Sequence, residues 1–328
     1  MNLELWPALM TNWTSPGVIF LGVGAAAALI KADLHFPRRF RAVGLGLLII
    51  ALGFNGGLAL GEVGLGPIWK QSLAMLGFGV LISAWIWPVF RFLARMDAPT
   101  AGLGAVQFGS GNVAVFAATV AYLKINHEFA DDLASGFLLI IPLAATITIG
   151  SFCGYLSPSP SVPAWWKPIA VATTAAIRNG QFLLLVLASL SGYLASRTGA
   201  ETLFVPITPM VPLLGTLLML DLGLEMGRQW RGFRRLDWLS VAIAILGPVI
   251  NAGGALYLAR RGHLGPGIGT LLAMVAAVGP VRLPPTVLRR VFPSGRSGVI
   301  ETLEAGIALP LNLFIGLPVY WQLAHRYL

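Results

Sequence analysis

Apolar residues along this chain come in long unbroken runs, without the alternation of a strand or the one-sided periodicity of a surface helix. The runs lie at about 15–31, 42–61, 70–90, 98–123, 132–156, 179–196, 204–226, 238–259, 265–290 and 298–324. A helix needs about 20 apolar residues to cross the hydrocarbon core, and these runs match that length. They are too long and too continuously apolar for the alternating strands of a barrel. The pattern predicts an all-α polytopic membrane protein of ten transmembrane helices. Polar residues gather between the runs, and Trp6, Trp13, Trp69, Trp165, Trp166, Trp230, Trp238 and Trp321 fall at or near run ends, as interfacial anchors do.

Composition agrees. Apolar residues are 56% of the chain, charged residues 11%, and mean hydropathy is +0.79. A soluble domain carries about 25% charged residues, so this chain cannot cover a surface facing water. The net charge of +9 does not indicate nucleic acid, because the basic residues sit in short loops between spans. With the N-terminus outside, fifteen Lys and Arg fall in inward segments, six in outward ones, and Arg282 within a span. That bias orients the protein in the cytoplasmic membrane with both termini outside. Met1 to Thr14 holds no Lys or Arg. A basic n-region is therefore missing, and the first run is expected to stay in the membrane. Cys153 is the single cysteine, which leaves neither a disulfide framework nor a thiolate metal site.

The chain repeats itself. Leu52-Gly53-Phe54-Asn55-Gly56-Gly57-Leu58-Ala59-Leu60-Gly61 is similar to Leu220-Asp221-Leu222-Gly223-Leu224-Glu225-Met226-Gly227, five runs later. Leu133-Ala134-Ser135-Gly136 with Pro142 matches Leu303-Glu304-Ala305-Gly306 with Pro310. An odd spacing of five spans inverts one half relative to the other. The expected organisation is a first five-helix repeat at 1–156, a Ser- and Pro-rich cytoplasmic linker at 157–178, and a second repeat at 179–328.

Spans four and nine are interrupted at matching places. The fourth holds Gly109-Ser110-Gly111-Asn112, and the ninth Gly279-Pro280-Val281-Arg282-Leu283-Pro284-Pro285. Proline lacks the N–H and clashes with the preceding turn. Unwound backbone at mid-membrane depth is tolerated where it lines a cavity or is buried in protein. Paired breaks in two halves point to a transport site, and half-helix N-termini suit an anion. Gly109, Ser110, Gly111, Asn112, Gly279, Pro280 and Arg282 are therefore the expected substrate-binding residues. Arg282 could neutralise the anion in place of a cation, with Asp221 holding it in the empty site. Asn55, Asp221 and Glu225 are candidates for coupling an ion, since carboxylates in a span need water, a cation or a basic partner. Gln107, Asn251 and Asn312 read as interhelical hydrogen bonders, and Gly57-x-x-x-Gly61 and Gly150-x-x-x-Gly154 as packing faces. There is no nucleophile–base pair, P-loop, dinucleotide fingerprint or metal-ligand spacing. An intramembrane enzyme is thus not expected, and a purely structural membrane protein would not need paired breaks.

In four places the chain resembles the sodium-dependent bicarbonate permeases. Gly53-Phe54-Asn55-Gly56-Gly57-Leu58-Ala59 resembles the family's Gly-Gly-Met-Ala stretch, and Gly109-Ser110-Gly111-Asn112 its Ser-Gly-Ser-Thr break. Leu222-Gly223-Leu224-Glu225 resembles its Met-Gly-Met-Glu, and Pro284-Pro285-Thr286 with the tenth span its Gly-Pro-Pro-Thr and last helix. The resemblance implies inverted repeats, core and gate domains, an elevator-like movement, a trimer, and no cofactor beyond a sodium ion as co-substrate. The implied function is secondary transport of bicarbonate or a similar small anion. The alternative is a sodium-independent permease for another monovalent anion or a small carboxylate. Two departures bear on that choice. The family's ninth-span break is rich in serine and carries an aspartate, where this chain reads Ala277-Val278-Gly279-Pro280-Val281-Arg282. Its linker is short as well, which leaves docking by the family's small cytoplasmic regulator open.

Overall fold

The structure is a computed structural model, and it describes residues 5–34, 37–128, 174, 180–199, 211–280, 292 and 294–328. The fifth run, the 157–178 linker apart from Thr174, the Gly150–Gly154 face and Arg282 lie outside the described residues. Every regular element among the described residues is helical. The first half gives α1 (Leu5–Trp13), α2 (Pro16–Leu29), α3 (Arg38–Val63), α4 (Leu65–Pro88), α5 (Ala98–Gly109) and α6 (Val113–Ile125). The second gives α7 (Gly180–Thr198), α8 (Val211–Gln229), α9 (Trp238–Arg261), α10 (Pro266–Ala277) and α11 (Ser297–Tyr327).

Five stretches are long and apolar enough to cross a bilayer: Arg39–Glu62, Leu73–Leu93, Ala98–Ile125, Trp238–Arg261 and Ser297–Tyr327. A sixth is added if α1 and α2, bent by 64° at Thr14-Ser15, form one span. The sequence pattern predicted a run at 15–31 and no helix before it. The structure adds α1, tied down by Asn12 Nδ2 donating to the Leu313 carbonyl at 2.7 Å and Trp13 Nε1 donating to that of Phe314 at 2.9 Å. Leu183, Leu187, Leu190 and Leu194 form an exposed stripe on α7, and Leu246, Val249 and Ile250 another on α9. Such surfaces suit lipid rather than water.

Local chemistry sets the helix ends. Asp97 caps α5, accepting from the backbone and hydroxyl of Thr100, and Asp237 caps α9 in the same way through Ser240. Three π turns interrupt longer helices: Val89–Leu93 after Pro88, Glu304–Ala308 before Pro310, and Asn312–Gly316 before Pro318. At Glu304–Ala308 and Asn312–Gly316 the widened turn precedes a proline, whose missing N–H and ring would otherwise leave an unmade bond and a clash in the turn before it.

Two helix pairs, α2 with α8 and α3 with α7, pack so closely that glycine is required on both sides. A Cβ on Gly24 would run into the Leu220 carbonyl, and one on Gly223 into that of Leu21. The other pair is built alike, with Gly57 against the Ser189 carbonyl and Gly192 against that of Phe54. Gly61 and Gly227 extend the two contacts by one turn, against Ser196 and Ala25. The expected packing face at Gly57 and Gly61 is thus observed. Backbone contact of this kind gains dispersion and weak C–H···O bonds where lipid supplies no hydrophobic drive.

Candidate functional site

The middle of the molecule is built from short helices of small residues. On α5, Thr100 to Gly109 are all buried; on α10, Gly267 and Gly269 to Ala277 are. Alanine and glycine let these half-length helices sit inside the bundle. Their ends are where the two predicted breaks fall.

The first break is a sharp one. α5 stops at Gly109, Gly111 takes a left-handed φ of +69°, and α6 starts at Val113. Asn112 caps α6, its Oδ1 accepting from the backbone N–H of Ala114 at 3.0 Å and Val115 at 3.3 Å. Only a residue without Cβ reaches that φ freely, and only a short polar side chain can turn back onto the orphan N–H groups.

The second break meets the first. α10 ends at Ala277, and Val278, Gly279 and Pro280 continue extended or irregular. The Asn112 Nδ2 amide donates to the Gly279 carbonyl at 3.1 Å. Gly279 lies so close to the Gln107 carbonyl that a Cβ could not fit between them. Asn251 on α9 joins the crossing, with Nδ2 near the carbonyls of Ala276 (3.2 Å) and Phe108 (3.4 Å) and Oδ1 accepting from Trp85 Nε1 at 3.1 Å. It therefore links α4, α5, α9 and α10. Gly109, Ser110, Gly111, Asn112 and Gly279 are brought together as expected, with Pro280 next in the chain, and all but Pro280 are buried.

Other expectations are refined. The Ser110 hydroxyl donates back to the Val106 carbonyl of its own helix. Asp221 is paired with Arg41 of α3, Nη2 to Oδ1 at 2.5 Å. Glu225 accepts from Gln229 Nε2 at 3.1 Å, and the Gln229 Oε1 accepts in turn from Thr302. Asn55 is half-buried on α3. Among the described residues Asn312 bonds within α11, donating to Ala308 and accepting from Tyr320.

One residue of the crossing was not among those expected. Glu304, on the π turn of α11, is fully buried and its Oε1 accepts from the Gly279 N–H at 2.8 Å. Its other oxygen, Oε2, has no hydrogen-bond partner among the described residues. The signal in the sequence was a second carboxylate, one turn after Glu301, inside an apolar run and six residues before Pro310.

Outside the spans, an ion pair clamps the crossing from one end. Arg296 Nη2 donates to Asp97 Oδ1 at 2.9 Å, and the Arg296 backbone N–H donates to the Thr100 hydroxyl at 3.0 Å. Partial burial raises the proton affinity of Asp97, but hydrogen bonds from Thr100 and Arg296 outweigh it and hold the carboxyl below its ordinary value.

No curated protein matches the chain. Residues 16–325 match the profile of one family, described as the Na+-dependent bicarbonate transporter superfamily. With helix breaks that meet at a buried crossing and a match over nearly the whole length, the chain belongs to the Na+-dependent bicarbonate transporter superfamily.

Proposed function

We propose that this protein moves bicarbonate or a similar small monovalent anion across the cytoplasmic membrane as a secondary transporter, and that the crossing of the two helix breaks is its substrate site. The observation that carries the reading is the bond from Asn112 to the Gly279 carbonyl. It joins two interruptions 167 residues apart in a buried place where broken helices are otherwise costly. Ten spans in five-plus-five inverted repeats are supported by the twin packing of α2 with α8 and α3 with α7. Gly57 and Gly61 of one pair stand where Gly223 and Gly227 stand in the other, as the repeated sequence requires. A homotrimer with elevator-like movement is proposed by resemblance.

A second reading within this class is sodium independence. It is favoured by the residues of the second break, Ala277-Val278-Gly279-Pro280-Val281-Arg282, which supply a guanidinium and no carboxylate. Uptake of radiolabelled bicarbonate into proteoliposomes tests both. Uptake above that of empty liposomes supports transport, and equal uptake in sodium and choline supports independence. The absence of uptake in either buffer counts against the transport reading for bicarbonate. Orientation is tested with single cysteines at Arg95 and His263 in a Cys153→Ser background. The first should react only from the cytoplasmic side and the second only from outside; the reverse labelling refutes both termini being external.

A further inference from the structure

Among the described residues, Glu304 is the one carboxylate set into the crossing. On one side it receives the Gly279 N–H at 2.8 Å, and on the other its Oε2 meets no donor among the described residues. Burial of a carboxylate without a partner for one of its oxygens is costly, and such groups inside a span are commonly functional. Among the described side chains of the elements around it, no free cation offsets the charge; the 230–235 turn, which packs on α11 at Thr302 and Gly306, also carries Arg231, Arg234 and Arg235, whose side chains are not among those described. On α8 the ionisable groups are Asp221, Glu225 and Arg228, and Asp221 already holds Arg41. Arg228 is exposed at the end of its helix and donates to the Leu34 carbonyl. On α9 only Tyr257, exposed and beneath Arg261, lies between Asp237 and Arg260. α5 and α10 carry no ionisable side chain. On α11 itself are Glu301, Tyr320, His325, Arg326 and Tyr327, with Tyr320 donating to Asn312 and His325 on Glu128. Arg282 comes after the break, outside the described residues.

Resting on the reading of the crossing as an anion site, we infer that Glu304 takes up one proton each time the site loads its anion. Two negative groups cannot share a small buried site, because at such separation and low dielectric their repulsion is large. The carboxylate must therefore be neutralised as the anion arrives. A proton suits the place better than sodium does. Sodium needs several oxygen ligands at once, and Oε2 is a single open oxygen among the described residues. A proton needs only Oε2. It passes from water on the loading side to Oε2, giving the neutral acid, and returns to water on the releasing side when the anion leaves. One anion and one proton cross together, and no net charge moves.

The experiment is infrared difference spectroscopy of the purified protein in sodium-free buffer, with carbon-13 bicarbonate added to separate ligand bands from protein bands. A separate equilibrium measurement establishes bicarbonate binding. The expected result is a protonated carboxyl C=O band that rises on binding, shifts in deuterated water, moves in Glu304→Asp and disappears in Glu304→Gln. Glu304→Gln keeps an oxygen for Gly279, and its size-exclusion profile and bicarbonate binding report whether it is folded. Bicarbonate binding without the band overturns the proton assignment alone, as would be seen if Arg282 neutralised Glu304. So does a band that persists in Glu304→Gln, or one that sodium abolishes. A wild-type protein that binds no bicarbonate overturns the site reading for that anion, and this inference with it.

Discussion

Replacing Gly279 by alanine puts one methyl group at the contact on which the site depends. Its Cβ would stand 2.6 Å from the carbonyl carbon of Gln107 and nearer still to the oxygen, whereas real Cβ atoms essentially never come within 3.0 Å of another group. The obstacle is the last turn of α5, backbone rather than a side chain that could rotate away. Overpacking a well-filled interior costs about 1–3 kcal/mol. Displacing Gly279 also endangers its two hydrogen bonds, to Glu304 and from Asn112, and such bonds are worth about 1 kcal/mol when neutral and about 1.5–3 when charged. Together the expected loss is about 3.5–7 kcal/mol, and the crossing should open or refold. The comparison variant is Gly253→Ala on α9, where nothing lies within 4 Å of the added Cβ and helix propensity favours alanine by about 1 kcal/mol. Thermal unfolding in detergent and bicarbonate uptake in proteoliposomes give the two readouts. Gly279→Ala should unfold well below wild type and fail to transport, while Gly253→Ala should match or exceed wild type in both. If Gly279→Ala matches wild type in both, the breaks do not touch and the reasoning fails.

Other variants probe the same crossing and its clamp. Asn112→Ala removes the cap of α6 and the amide on Gly279, which should cost about 1–3 kcal/mol and lower the unfolding temperature along with uptake; wild-type values refute the linking role. Gly111→Val should lose uptake while still reaching the membrane, because a branched side chain is strained at a φ of +69° by at least about 1–2 kcal/mol; normal uptake removes the site from this segment. Asp97 is held below its ordinary carboxylate value, so its contribution is present above the unfolded-state value and is lost as pH falls through the lower folded value. Asp97→Asn should therefore flatten the acid limb of the stability-versus-pH curve, by less than about 1 kcal/mol for so exposed a pair. An acid limb unchanged in Asp97→Asn would show that the Arg296 clamp is not formed in solution.

The parts of the fold legible in the sequence were those set by solvent and by local chemistry. Long apolar runs, with tryptophans near their ends, left helices in lipid as the readable fold. Asp97, Asn112 and Asp237 sit where a capping side chain is needed, so α5, α6 and α9 begin close to where the pattern placed them. The repeated glycines at Gly57, Gly61, Gly223 and Gly227 showed up as a motif because close backbone contact tolerates no other residue. Ion partners were less legible. Asp221 could be read as deep and in need of a cation, but 180 residues separate it from Arg41, and no local rule chooses that arginine over Arg282.

Glu304 was hidden for a different reason, and that reason also explains its place. Position 304 lies between Leu303 and Ala305, one turn after Glu301, and its sequence neighbourhood reads as part of a repeat. Pro310 changes the geometry: its ring cannot follow an ordinary turn without a clash at residue 306, and the backbone answers with the π turn Glu304–Ala308. A π turn adds a residue within the turn and rotates the helix before it relative to the helix after it, so the face that Glu304 presents is not the one a straight helix would give. That rotation brings Oε1 to the Gly279 N–H, itself left without a helical carbonyl because α10 ends two residues earlier. The exposed N–H of one interrupted helix and the carboxylate swung out of another thus satisfy each other. The same two prolines that break the regular structure, Pro280 after Gly279 and Pro310 after Glu304, set up the bond at the centre of the proposed site.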